Sequence, residues 1–494
     1  MTRRALRTID ASSLPAADPS SESSESSESS EPQMAPETIG GKEFLIPPGS
    51  STLELRSVDE LDESLPAARS CVESETFLVN APADDVAHGE AGEEWEAALL
   101  VTGTAVGGGC MALPYFTSAG GFLPALAMLA LSYALLLGSA LVLVEPTIRV
   151  WEDRPGKAVS MSSVVETYLG PRVGLAAGVT FWTLINCTLV SQLAKCGELV
   201  ATAVFGGAVA AGAGAGGVGG GSAAAAAATV VWVSRLGSVV AAATLSAAAL
   251  SRGAGRINAV ATAGLFGGFA SACVVGAPGV NPALLLTSNL AAAAPALPAI
   301  MQTMTYAEAI PTVVDMCRGS RAKTRRVLAL GSLGPSLMYA LWLAVTLGRD
   351  SLAKCAAAGG DLAGKILAEG GALGLATATI AACASASTLI GCYLALSRFN
   401  ADAFDTNLSA RNVKLVALTV LPSLLVSMKG PELYYLMIKF AGTVPVAFLW
   451  GVLPPLVCWR MLDGEKRLTG AWRAMLGTGA IGSTIAMAVG AMTM

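Results

Sequence analysis

Apolar residues run through this chain in blocks too long for the half-buried helices of a soluble domain, parted by short polar or glycine-proline breaks. A bilayer core of about 30 Å takes roughly 20 apolar residues per helix. That length divides the apolar body into eleven segments at about 96–117, 121–146, 173–203, 226–250, 256–277, 293–315, 326–348, 370–397, 411–427, 431–458 and 471–492. In lipid only helices and closed barrels satisfy their own backbone groups, so the pattern predicts an all-α polytopic membrane protein. The Gly/Ala stretch 206–228 leaves the start of segment four open between loop and helix.

Two segments are interrupted. Segment one carries Gly103-Thr104-Ala105-Val106-Gly107-Gly108-Gly109-Cys110-Met111-Ala112-Leu113-Pro114, and three glycines ahead of a proline do not make an undisturbed membrane helix. Segment six carries Ala299-Ile300-Met301-Gln302-Thr303-Met304-Thr305-Tyr306-Ala307-Glu308-Ala309-Ile310-Pro311. Such breaks are tolerated at membrane depth where the freed peptide groups face protein, water or a ligand. Their five-segment spacing is that of two inverted five-helix repeats meeting at the midplane, here about 96–277 and 293–458, with 471–492 as an extra helix. Opposed half-helix ends offer N–H groups to an anion and C=O groups to a cation, which suits a zwitterionic amino acid.

Charge divides the chain. Residues 1–96 hold 21 acidic against 6 basic side chains and the remainder 15 against 25, so the net −5 describes neither part. The mean hydropathy of +0.60 belongs to the body. Residues 1–92, with the run Ser20-Ser21-Glu22 repeated to Glu31, form an acidic Ser/Glu-rich tail that buries too little to offset its chain entropy and is expected to be disordered. Its opening Met1-Thr2-Arg3-Arg4-Ala5-Leu6-Arg7 looks like an organellar transit peptide, whereas the acids from Asp10 onward fit a cytosolic tail, so a plastid inner envelope and a plasma or endomembrane both stay open. Alternate loops of the body carry 18 basic residues on one side and 4 on the other, which places the tail on the basic side.

The composition argues against an enzyme. The ten cysteines are scattered singly, and the single histidine, His88, lies in the tail. Neither a metal site, a cofactor site nor a Ser-His-Asp arrangement is expected, and nothing points to nucleic acid. The oligomeric state leaves no mark on the sequence.

At the interrupted segments the chain resembles the hydroxy and aromatic amino acid permease family, particularly its tyrosine- and tryptophan-specific branch. The similarity covers roughly residues 95–492. It rests on the Gly103–Gly109 run with Ala112-Leu113-Pro114, and on the stretch from Leu297-Pro298 through Tyr306 and Pro311 to Gly331-Ser332-Leu333-Gly334-Pro335, Tyr339 and Leu341-Trp342. Ser387-Thr388-Leu389-Ile390-Gly391, Gly442 and Leu453-Pro454-Pro455 support it. The form Tyr306-Ala307-Glu308 is closer to plant and algal members, Ala307 standing where bacterial ones usually have histidine. The resemblance implies an eleven-helix member of the amino acid, polyamine and organocation superfamily with the LeuT-type 5+5 inverted-repeat fold. It implies proton-coupled uptake of a small-molecule substrate, tyrosine or tryptophan, by a membrane permease.

The candidate site follows from these breaks. Gly107, Gly108, Gly109 and Cys110 would present N–H groups to the substrate carboxylate, or else serve close helix packing. Thr303, Met304, Thr305 and Tyr306 would form the opposite wall, with carbonyls near Met304 for the ammonium and Tyr306 against an aromatic ring. Glu308, an acid inside an apolar segment, is the candidate proton carrier. Ser385, Ser387 and Thr388 offer hydroxyls to an ion or substrate, or bond their own helix carbonyls. Lys195 and Glu198 lie one turn apart and can pair. Two other functions fit the same residues: transport of a different neutral amino acid, and a non-transporting sensor that binds one.

Overall fold

The computed structural model describes residues 37–39, 42–44, 90–154, 159–205, 221–250, 254–403, 413–467 and 469–492. The expected disordered tail and its transit-like start therefore fall almost entirely outside the described residues, as does the Gly/Ala stretch 206–220. Within the tail, β1 (Glu37–Ile39) pairs antiparallel with β2 (Lys42–Phe44), Thr38 opposite Glu43.

The membrane body is built of helices, and each of the eleven expected segments holds one. Among the described residues, seven helices are long and apolar enough to cross a bilayer: Phe122–Glu152, Pro171–Phe205, Ala228–Ala248, Arg256–Gly279, Arg321–Leu347, Gly371–Ser397 and Leu433–Gly464. An eighth crossing is the bent pair Glu94–Ala105 and Gly108–Thr117, whose halves turn 45° at the break. Segment six is split into Leu297–Thr303 and Ile310–Met316, segment nine is Val413–Ser427, and segment eleven is Gly470–Met492. The chain is an all-α, multi-pass integral membrane protein.

Local chemistry sets the joints. Gly121, at φ +82°, turns the chain from segment one into segment two with a backbone that L side chains rarely adopt. Asn281 and Asn289 cap short helices in the loop before segment six by accepting from the N–H groups of Ala283 and Ala292. Segment ten relaxes into a π-helix over Gly442–Val452 around Pro445, which cannot continue the ordinary ladder.

Small residues set the packing. A Cβ at Gly331 of segment seven would come within 2.6 Å of Val101 in segment one, and one at Gly442 of segment ten would strike the Pro298 carbonyl of segment six. On the basic side, charges stitch the helix ends together. Glu145 accepts from Arg149 at 3.1 Å and from Arg321 at 2.8 Å, Arg149 also pairs with Glu465, and Arg326 meets Glu94 at 3.0 Å. On the opposite side, helices Asp350–Ala357 and Leu362–Glu369 form a hairpin between segments seven and eight.

Candidate functional site

The two breaks meet. Segment one's inner half ends at Ala105 and segment six's outer half at Thr303, so both carbonyls lie at helix C-termini, where no residue of their own helix can satisfy them. The Tyr339 hydroxyl of segment seven, fully buried, reaches both, at 3.0 Å from the Ala105 oxygen and 3.1 Å from the Thr303 oxygen. One side chain thus ties two helix ends some 200 residues apart.

The glycines let the walls close. A Cβ at Gly109 would lie 2.5 Å from the Thr303 methyl, and one at Gly107 would lie 3.0 Å from the Thr388 hydroxyl. A Cβ at Gly108 would overlap the Gln192 amide of segment three. The close-packing and binding readings of Gly107–Gly109 are therefore not exclusive, because the same bare backbone brings segments one, three, six and eight to one point. The Gly108 N–H donates to Thr388 Oγ1 at 2.9 Å, and the Gly108 carbonyl accepts from the Tyr434 hydroxyl of segment ten at 2.7 Å. Cys110 and Met304 are buried beside them, and Thr305 is half-buried with its hydroxyl on the Gln302 carbonyl.

Unlike Thr377, Thr379 and Ser397, which bond carbonyls of their own helix, the candidate hydroxyls of segment eight reach other segments. Ser385 donates to Gln192 Oε1 at 3.1 Å and Ser387 to Asn258 Oδ1 of segment five at 2.9 Å, while Thr388 receives the Gly108 N–H. Gln302 donates to Thr188 of segment three at 3.2 Å and leaves its Oε1 unpartnered. Polar side chains of segments three, six and eight, Gln192, Thr303 and Thr388, thus lie directly against the glycine run.

Two expected residues stand apart. Tyr306 lies in the main apolar core at 2 % exposure, its hydroxyl turned toward Ser332 of segment seven without a hydrogen bond. Glu308, in the single turn Ala307–Ala309 that reopens segment six, is exposed on the side of Cys392 in segment eight. Lys195 is wholly buried. It meets Glu198 at 3.0 Å, as the spacing predicts, and also Asp361 of the hairpin at 3.5 Å, and it sits 5.1 Å from the centre of the Tyr434 ring.

Sequence reasoning gave no role to Tyr339, Tyr434, Gln192 or Asp361. Each acts through a partner distant in the chain, and for the first three the only local signal was a polar side chain within an apolar segment. Among the described residues no cluster of His, Cys, Asp and Glu could hold a metal ion.

A comparison with curated proteins gives no match. The model of the tryptophan/tyrosine permease family matches residues 92–494, the whole helical body with both interrupted segments, and the chain belongs to that family.

Proposed function

We propose that this permease is a secondary active transporter of aromatic amino acids, tyrosine or tryptophan, driven by proton symport through alternating access. One observation carries the reading: two discontinuous helices meet at the Tyr339 hydroxyl with a bare glycine backbone beside them. The N-terminal end of segment one's second half faces the C-terminal end of segment six's first half. A carboxylate is favoured at the former and an ammonium at the latter. The backbone around Gly107, Gly108, Gly109 and Cys110 takes the carboxylate in this reading, and Thr303, Met304 and Thr305 face the ammonium. Ser385, Ser387 and Thr388 complete the polar wall.

The LeuT-type 5+5 arrangement, with repeats at about 96–277 and 293–458 and helix 471–492 added, accounts for the pairing of breaks in segments one and six. Glu308, an acid where the broken segment reopens, carries the proton in this reading. Tyr306, buried in the apolar core, packs segment six in this reading.

Purified protein in sealed vesicles tests the proposal. With an inward proton gradient, labelled tyrosine or tryptophan should rise inside above its external concentration, and a protonophore should abolish the rise. Saturable binding without accumulation would overturn transport in favour of a sensor. Accumulation of small or branched amino acids in preference to aromatic ones would overturn the substrate assignment.

A further inference from the structure

The hairpin 350–369 covers the second half of segment one and is flanked by glycines. It is bounded at one end by Gly348 and at the other by Gly370 and Gly371, at φ +70° and +68°, whose Cβ positions meet nothing within 4 Å. Consecutive open glycines of this kind absorb backbone rotation. The underside of the hairpin is nonetheless closed onto the body: Leu352, Leu362, Ala363 and Ile366 are at most 2 % exposed. Its second helix lies against segment one's outer half, Leu113–Thr117.

A charge holds this cover down. Asp361 occupies the capping position of Leu362–Glu369 but makes no cap hydrogen bond. A capping aspartate ordinarily accepts an N–H from the first turn. Asp361 instead turns Oδ2 toward Lys195 and leaves Oδ1 unpartnered. Lys195 in turn lies over the ring of Tyr434, whose hydroxyl holds the Gly108 carbonyl. Hairpin, lysine, aromatic ring and glycine break therefore form one continuous chain of contacts. The side of the break facing the hairpin is shut, with Lys195, Leu113 and Tyr434 at zero exposure, whereas Thr305 beyond the break is half-buried.

We propose that Lys195 is the gate residue of the face opposite the basic loops, releasing Asp361 and keeping Glu198 as its remaining partner when the hairpin lifts. Glu198, at 3.0 and 3.1 Å on the same helix, stays with the lysine in both states, so opening never strands a bare buried cation. Asp361 favours the closed state, and Glu198 competes for the same ammonium and favours the open one. This inference rests on the transport reading for its meaning but not for its test.

Cys110, buried at the break beneath the hairpin, is a native reporter. Vesicles of the full chain are treated without substrate with a membrane-impermeant thiol reagent from the hairpin side, and modification of Cys110 is followed by peptide mass spectrometry. Asp361→Asn should speed modification roughly five- to tenfold, the size of a modest conformational coupling. Glu198→Gln should slow it below the wild-type rate. Opposite signs from two acids on one lysine separate gating from general loosening, which would speed both. Any other ordering overturns the proposal. Tyrosine counterflow in the same vesicles distinguishes the two readings: absent counterflow with the expected ordering removes the aromatic substrate, and normal counterflow with the wrong ordering removes the gate.

Discussion

Replacing Tyr339 by phenylalanine removes one oxygen and leaves the ring in place, so its consequence can be worked from geometry. The hydroxyl has a single hydrogen to share between the Ala105 and Thr303 carbonyls, at 3.0 and 3.1 Å, in a site without solvent access. Loss of a buried donor leaves an acceptor unsatisfied at a cost of about 1–3 kcal/mol. Ring packing against Phe269, with centroids 6.5 Å apart, is retained, so no cavity larger than the missing oxygen forms. The cost falls on the junction of the two broken helices. If that junction is the substrate site, affinity should drop by roughly tenfold, since about 1.4 kcal/mol corresponds to a factor of ten. Equilibrium binding of labelled tyrosine to the purified protein reads this directly, with thermal unfolding measured in parallel. Unchanged affinity with an unchanged unfolding temperature would refute the claim that this hydroxyl holds the two breaks in register.

Three further outcomes follow from the same geometry. Gly109→Ala should abolish uptake, because its Cβ would press on the Thr303 methyl at 2.5 Å, and pairing it with Thr303→Ser should restore part of the uptake rate; no restoration would show that the contact is not the cause. Thr388→Val removes the acceptor for the Gly108 N–H and should weaken binding roughly five- to tenfold with little change in expression, which a binding isotherm checks. Glu308→Gln should keep tyrosine exchange across the membrane while losing accumulation driven by a pH gradient; full accumulation in that variant would exclude Glu308 as the proton carrier.

Both breaks were legible because glycine and proline act on their own backbone. The Gly107–Gly109 run and Pro114 predict an interruption wherever the chain is folded, and segment one bends there. The pairing of Lys195 with Glu198 was legible for a similar reason, a three-residue step on one helix. Tyr339 and Tyr434 were not, because a hydroxyl that reaches a carbonyl 234 or 326 residues away leaves no periodic trace. Asp361 was not legible either, because its carboxylate leaves the helix it precedes for a lysine on segment three. The spacing of Ser385, Ser387 and Thr388 allowed both self-bonding and outward contacts. Polar partners on segments one, three and five decide for the latter.

The stitching of Glu145 by Arg149 and Arg321, with Glu465 and Glu94 beside it, sits at one end of the molecule and is only partly shielded from water. Attraction between such charges is screened within about 8 Å at physiological ionic strength, while a pair walled off from solvent feels far less of it. Lys195, at the other end, is walled off. Dissolved salt therefore acts more on the arginine-rich rim, whose cations are open, than on the buried lysine under the hairpin. Under the proposed alternating access, the electrolyte of the compartment bathing that rim would bias which way the protein faces, with no ligand bound.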